Sequence, residues 1–467
     1  PDRILSAVKT ATLEDCINYC QSKKILGLDV ETEGLDYTTH KMVMLQIGDE
    51  NRQYVIDTRS EKIGLLSPIF LSMKITKVLH NVKFDHKFLL QIGMDLENIY
   101  DTQTVEQAYY CGDKSVRCRL DDLTSRYFDK KLSKDLRMSF TRMHGQPFTD
   151  AQIVYGAEDV EYLPQIVKKQ APLIAEKGLE EVVRLENEVS LAFSDIEWNG
   201  LDIDPEPWLA ISKESEKEVD TYLDALDKEV LGDPRFASHV AKYVQGDLFA
   251  DVDTLRKVDV SWTSPLQVKS VLKKVIPSLE SVNGKMLQQY RKVHPIIPKY
   301  ITYKEKCKVV SSYGQAFLDH RLADGRVHTR FSQILTTGRV SSSAPNIQQV
   351  PADNAFRNCF TAPPGWVFVS SDYASQELNV IAYGANDPIW LEALKKGQDL
   401  HSVCADLVYG ELWEEAAVFD CAYYKVLNDG PKDQPDLISW EADFAKAKCE
   451  CPKHKALRQN VKTINFG

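Results

Sequence analysis

Asp29 and Glu31 stand at i and i+2 in the segment LGLDVETEG. On a strand, that spacing puts both carboxylates on one face. Asp85 follows an apolar run in HNVKFD, where Asn81 is placed to cap the helix that begins there. Tyr155 and Asp159, in VYGAEDVEYL, lie at i and i+4 and share one face of a helix. Acids that converge on one point repel each other unless divalent cations neutralise them. The chemistry open to such a set is two-metal hydrolysis: one ion generates hydroxide from water, the other stabilises a leaving 3′ oxygen, the ions ~3.5–4 Å apart. Hard oxygen ligands select Mg²⁺, two per site, with Mn²⁺ able to substitute. A neutral tyrosine hydroxyl beside them can orient the attacking water without adding charge. A DxE pair alone is usually a solvated strand face, and a helical YxxxD is commonplace. The weight lies in all three pieces occurring in this order, each on a suitable element.

A second set lies farther along. Thr336–Pro351, TTGRVSSSAPNIQQVP, is polar and rich in small residues. Its Arg339, Asn346 and Gln348 offer donors for the minor-groove acceptors common to all correct base pairs, so they could sense duplex shape without reading sequence. WVFVSSDYASQELNVIAYGA runs an apolar strand into Asp372, a fixed edge for a metal, with Glu377 on the helix that follows. In ALRQNVKTINFG, Arg458, Lys462 and Phe466 fall at i, i+4 and i+8, roughly one helical face carrying two cations and then an aromatic ring. Such a face suits a triphosphate beside the cations and a base against the ring. Taken singly, these segments read as a surface loop and a solvated amphipathic helix.

The elements that must position these residues change character along the chain. ILGLDVET, MVMLQIGD, QYVIDT and KVLHN read as strands, with helical patterns LEDCINYCQSKK and DHKFLLQIG between them, which makes an α/β unit with its own sheet. From about residue 170 to 318 the pattern is long, charged and helical, broken by an irregular stretch near 232–277. Strand signals return in RVHTRFSQIL and WVFVSSDY, and helices follow from Val380 to Tyr409. Residues 411–452 are acidic and turn-rich, and a last short helix spans 456–467.

A chain of 467 residues exceeds the ~250–300 that one core sustains, so several domains are expected. Its net charge, 57 − 68 = −11, excludes a basic coat but leaves room for a local basic groove. No run of ~18 apolar residues exists to span a membrane as a helix. Ten cysteines without regular spacing read as reduced thiols in the cytoplasm. Cys449, Cys451 and His454, even with Cys421, do not match a standard zinc spacing and read as free thiols in a loop. The N-terminus, PDRILSAVKTATLEDC, has neither an initiator Met nor a signal-peptide run, as expected of a trimmed or processed chain.

DVETEGLD, HNVKFD and YGAED resemble the three exonuclease motifs of the DEDD superfamily in its tyrosine-bearing version. The resemblance implies that Asp29, Glu31, Asp85 and Asp159 carry the metals and that Tyr155 positions the water; Asp101, in IYDTQTVEQAYY, fits a common noncatalytic position. With the second set included, the chain resembles family A DNA polymerases, the class of bacterial DNA polymerase I and its phage relatives, over almost its whole length. DYASQEL is similar to motif A. By that resemblance Asp372 and the Tyr373 carbonyl hold metal, Glu377 is the steric gate against ribose, His401 touches the triphosphate, and Arg458, Lys462 and Phe466 form motif B. Ser375, Gln376 and Asn379 depart from the usual residues around the gate.

The implied architecture is multidomain α/β, a ribonuclease H-like exonuclease domain followed by a helical thumb and the partial palm and fingers of a right-hand polymerase. The expected boundaries are 1–175 for the exonuclease, 176–320 for linker helices and thumb, 321–382 for palm with motif A, and 383–467 for fingers ending in motif B. The implied partners are primer-template DNA, a single-stranded 3′ end, dNTPs, and a C-terminal fragment carrying motif C, which this sequence lacks; no membrane is implied. On that account the chain alone should add no nucleotide. The rival readings are a stand-alone 3′–5′ exonuclease and one subunit of a split polymerase completed by a second chain. The resemblance is to phage-type or large-fragment polymerases, in which no 5′-nuclease domain is expected ahead of the exonuclease motifs.

Overall fold

Alternation along one strand decides where the acids point. In the computed structural model, which describes residues 12–133, 135–143, 145–242, 256–351, 354–373, 375–396, 398–416 and 451–466, β1 spans Ile25–Thr32. Its Leu26, Leu28 and Val30 enter a core with Cys16, Cys20, Phe70, Phe88, Leu89 and Ile99. Gly27, Asp29 and Glu31 therefore project from the opposite face. With β2 (Met42–Gly48), β3 (Gln53–Asp57), β4 (Thr76–Leu79) and β5 (Ile99–Asp101) it forms a five-stranded sheet in the order β3-β2-β1-β4-β5. β1–β2 and β2–β3 are antiparallel, whereas β1–β4 and β4–β5 are parallel. The first four strands match the apolar runs read from the sequence. β5, three residues long, is too short to show a period.

Helices α1 (Leu13–Gln21), α2 (Val82–Gln91) and α3 (Thr102–Tyr109) connect and cover these strands. Helix α4 (Asp150–Glu176) lies across β1 and β2 on the face that carries the acids. Thr149 and Gln152 start it with a reciprocal capping box. Two glycines permit the close approach. A Cβ on Gly27 would meet the Val160 carbonyl oxygen at 2.5 Å, and one on Gly156 would meet the Gln46 amide nitrogen at 2.7 Å and the Met44 sulfur at 2.9 Å. At Gly27 the obstacle is backbone and cannot swing aside. Gly27→Ala should cost about 1–3 kcal/mol, the usual price of overpacking. Because α4 carries Tyr155 and Asp159, it should also lower any activity of the cavity they line, which paired thermal melts and rate measurements would check.

The chain divides into two compact units, Pro1–Val367 and Phe368–Gly467. Beyond the sheet, the first unit continues through α5 (Glu180–Asn199), α6 (Pro205–Gly232) and α7 (Ile296–Tyr313). α6 and α7 pack together around Leu226, Val230, Phe236, Trp262, Val271 and Tyr300, the long helical stretch expected. The strand read in RVHTRFSQIL shrinks to β6 (Arg330–Ser332), paired antiparallel with β7 (Ser341–Ser343).

The second unit holds α8 (Gln376–Ala385), α9 (Pro388–Lys395), α10 (Leu400–Tyr409) and α11 (Pro452–Phe466), as the helical pattern predicts. The apolar strand expected in WVFVSSDY does not form. Residues 366–373 have no regular secondary structure, and Val369 is 87% exposed. An apolar run becomes a strand only where a neighbour takes its N–H and C=O groups, and no strand among the described residues pairs with this one. Residues 417–450, most of the acidic stretch and including Cys421 and Cys449, lie outside the described residues.

Candidate active site

Asp29, Glu31, Asp85, Tyr155 and Asp159 line one cavity of about 660 Å³. Carboxylate oxygens of Asp29, Glu31 and Asp159 all lie within 4.8 Å of one another. Asp85, 2% exposed in the first turn of α2, is set beside them by a backbone requirement. β1 pairs with β4 only from Ile25 to Gly27. Past that point the Val30 N–H has no strand partner on that side, and it donates to Asp85 Oδ1 at 3.2 Å. The fourth acid thus completes the edge of the sheet while facing the other three.

Asn81 does occupy the N-cap position of α2, but its side chain makes no capping bond. Asp101 takes that task. Its carboxylate accepts from the N–H groups of Asn81 (2.9 Å) and Val82 (3.0 Å), and also caps α3 through Gln103 (2.9 Å) and Thr104 (3.3 Å). One buried acid therefore fixes the starts of two helices, the first of which carries Asp85. The Asp-Thr-Gln-Thr run announces the local cap; the bond to α2, twenty residues back, has no sequence signal.

The electrostatics follow from crowding. Burial pushes the Asp29 carboxyl up to about 7, against the pull of the Arg137 charge. Burial and then repulsion from Asp29 and Asp159 push Glu31 to about 9. Asp85 is raised by burial and by Asp29, and the Tyr155 hydroxyl is raised by burial and then by Asp159, Glu31 and Asp29. This oxygen donor set fits a hard divalent cation. A carboxyl whose pKa is raised in the folded chain adds stability that is complete below its ordinary value, 3.8 or 4.5, and is lost as pH climbs to the folded value. Metal-free protein should therefore melt progressively lower from about pH 5 to about pH 9. Asp29→Asn with Glu31→Gln should flatten that slope. Mg²⁺ should raise the melting temperature more at about pH 8 than at about pH 6, because binding displaces the protons.

Comparison with known proteins joins this cavity to the rest of the chain. A family model described as 3′-5′ exonuclease matches residues 6–175, and one described as DNA polymerase family A matches residues 247–428. The chain thus joins a region matched as 3′-5′ exonuclease to one matched as DNA polymerase family A. DNA polymerase I of Aquifex aeolicus is 29% identical over 439 residues, covering 90% of this chain and 70% of the relative. DNA polymerase I of Chloroflexus aurantiacus is 26% identical over 371 residues, 75% of this chain and 37% of the relative. The thermostable DNA polymerase I of Thermus aquaticus is 36% identical over 136 residues, 28% of this chain and 16% of the relative. The chain thus spans 70% of one of these relatives and much less of the others. A solved structure described as the POL domain of Pol1 from M. smegmatis, in complex with DNA primer-template and dNTP, superposes with a TM-score of 0.64 at 19% identity. It covers 100% of this chain and 70% of that one, and establishes the fold. Domains of these two families use divalent metal ions.

The second set is spread over both units. In the first unit, Asn346 Oδ1 accepts from the Ser342 hydroxyl at 3.0 Å and Gln348 Oε1 from the Ser342 N–H at 2.9 Å. Both amides spend their acceptor ends on β7, which turns their donor ends away from it. Arg339 is exposed. In the second unit Asp372, Tyr373 and Glu377 are exposed, Glu377 in the first turn of α8, and His401 is buried in α10. Arg458 grips Asp399, the N-cap of α10, through Nε at 2.6 Å and a second nitrogen at 2.8 Å. That pairing holds Asp399 down to about 2, burial opposing it. Lys462 lies one turn on in α11; the side chain of Phe466 is outside the described residues. His454, fully buried, meets the Trp413 carbonyl through Nε2 at 2.6 Å and Cys451 Sγ through Nδ1 at 3.3 Å. Both ring nitrogens serve packing of the second unit.

Proposed function

We propose that this chain carries out 3′–5′ proofreading hydrolysis and contributes motifs A and B to template-directed DNA synthesis, which also requires motif C. The observation that carries the reading is the convergence of Asp29, Glu31 and Asp159 within 4.8 Å of one another, with Asp85 and Tyr155 on the same cavity. In this reading the four acids hold two Mg²⁺ ions, which when bound generate hydroxide from water and stabilise the charge on the leaving 3′ oxygen. The Tyr155 hydroxyl, kept neutral by burial and by the surrounding acids, orients the water. The cavity is open to a single-stranded 3′ end.

For synthesis, the match of residues 247–428 to the polymerase family supports the assignment of motif A to Asp372, Tyr373 and Glu377. Asp372 and the Tyr373 carbonyl hold metal, and Glu377 lies beneath the sugar. His401, Arg458 and Lys462 meet the dNTP phosphates, Arg458 exchanging Asp399 for them, and Phe466 meets the base. Arg339, Asn346 and Gln348 touch the minor groove of primer-template DNA. The proposed boundaries are 1–175 exonuclease, 176–320 thumb, 321–382 palm and 383–467 fingers. The eight described cysteines form no disulfide, which supports a reducing compartment such as the cytoplasm. No helix among the described residues is long and apolar enough to cross a membrane.

The direct test is incubation of 5′-labelled single-stranded DNA with the chain and Mg²⁺. Products that shorten stepwise from the 3′ end are expected, and EDTA should stop them; DNA left intact would refute the exonuclease reading. In an extension-competent enzyme, Glu377→Ala should raise ribonucleotide use relative to deoxyribonucleotide. A site built around one hydrogen-bonded group discriminates strongly against a sugar that disturbs it. An unmoved sugar ratio in competition assays would take Glu377 away from the nucleotide.

A further inference from the structure

We propose that Arg137 is a catalytic residue of the exonuclease cavity, its guanidinium taking the non-bridging oxygens of the phosphate under attack. The inference rests on the exonuclease reading above and adds to it a residue for which neither the motifs nor the family model supplies a role. Arg137 opens a short 3₁₀ turn, Arg137–Arg142, that packs against β1, and it lines the cavity with the four acids and Tyr155. Its charge reaches Asp29, Glu31 and Tyr155, lowering the pKa of each.

The turn is fixed to the helix that bears Tyr155. Phe140, fully buried, packs its ring 6.0 Å from that of Tyr155, and Gln152 Nε2 donates to Ser139 Oγ at 2.9 Å. Arg137 itself is exposed, so its side chain stands at the open side of a cavity whose inner wall is acidic. The other guanidinium lining the cavity, Arg119, is already held by Asp122 at 2.9 Å.

The charge balance gives Arg137 its task. Four carboxylates offset two divalent ions, which leaves the phosphate's own charge to be met. As the water oxygen bonds to phosphorus and the P–O3′ bond breaks, its electron pair passes to the 3′ oxygen, which takes a proton, and the nucleoside monophosphate departs. Negative charge on the non-bridging oxygens must be held throughout. A planar guanidinium grips two such oxygens at once and keeps its own proton at any working pH.

The test compares the full chain with Arg137→Ala and Arg137→Lys at saturating Mg²⁺. Arg137→Ala should lower kcat about 10²–10³-fold, the usual loss of one charge-stabilising donor. Arg137→Lys should recover only part, because it keeps the charge and loses the fork. A second readout avoids turnover. Binding of a labelled oligothymidylate in EDTA, followed by anisotropy across salt concentrations, should lose ~0.7 from the slope of log K against log salt in Arg137→Ala, the signature of one single-strand phosphate contact. If kcat is unchanged and only the half-saturating Mg²⁺ concentration falls, Arg137 is a mere counter-charge to the acids and the proposal is overturned; an unchanged salt slope overturns it equally. No hydrolysis by the unaltered chain would overturn the exonuclease reading and this proposal together. Hydrolysis by the unaltered chain with an undiminished rate in Arg137→Ala would overturn the proposal alone.

Discussion

Asp29→Ala combined with Glu31→Ala is expected to reduce metal-dependent shortening of single-stranded DNA to the uncatalysed background. The two side chains supply two of the three carboxylates that approach within 4.8 Å. Without them, only Asp159 and Asp85 of the four acids remain, and the cations lose the carboxylates they would share. Stability should move the other way. Burial raises both acids in the metal-free chain, and repulsion from Asp29 and Asp159 adds to it at Glu31, so their removal relieves a cost, and the double variant should melt no lower than the parent without metal at about pH 8. A gel assay beside a thermal melt checks both arms. Tyr155→Phe should behave differently, since it keeps all four acids: hydrolysis should slow while the half-saturating Mg²⁺ concentration stays in place. Undiminished hydrolysis in the double variant would remove these residues from the chemistry.

The exonuclease cavity was legible because each motif is short and sits on one element whose period fixes its direction. Asp29 and Glu31 share a face because strands alternate, and Tyr155 and Asp159 share one because four residues make about one helical turn. What remained hidden depends on distance in sequence. Asp101 caps α2 from twenty residues away, and Arg137 reaches the acids from a 3₁₀ turn with no period to read. The polymerase half shows the reverse failure. The apolar, β-branched and aromatic run WVFV in WVFVSSDY is a genuine strand signal, yet a strand is a pairing between segments, and the run finds no partner among the described residues. Helices need no such partner for their hydrogen bonds, which is why α8 to α11 formed where the sequence placed them.

Glu197→Ala should be the most destabilising single substitution away from the cavity. Glu197, on α5, is 2% exposed, and its carboxylate takes the ammonium groups of Lys83 at 2.7 Å and Lys87 at 2.6 Å. It also accepts the Phe331 N–H of β6 at 2.8 Å, while Lys83 donates in turn to the Phe331 carbonyl. Burial acts to raise the Glu197 carboxyl, but Lys87 and Lys83 outweigh it and hold it below the usual glutamate value. The two lysines flank Asp85 in sequence and, two residues to either side of it, occupy the opposite face of α2. One carboxylate thus ties the helix that carries Asp85 to both α5 and β6. Removing it takes this acceptor from two partly buried ammonium groups and an amide, which costs about 3–5 kcal/mol. At roughly 2–4 °C per kcal/mol for a domain of ordinary size, the first unit should melt roughly 6–20 °C lower. The depressed carboxyl contributes stability above its ordinary value of 4.5 that is lost as pH falls through its folded value, so the gap between parent and variant should narrow below about pH 4. Arg184→Ala provides the control, because its pairs with Glu181 and Glu188 lie on the exposed surface and are worth at most about 1 kcal/mol. Hydrolysis by Glu197→Ala should also decline below the melting range, as α2 loses the anchor that holds Asp85 against Val30. If Glu197→Ala melts within the range of the Arg184→Ala control, the buried carboxylate does not hold these elements together.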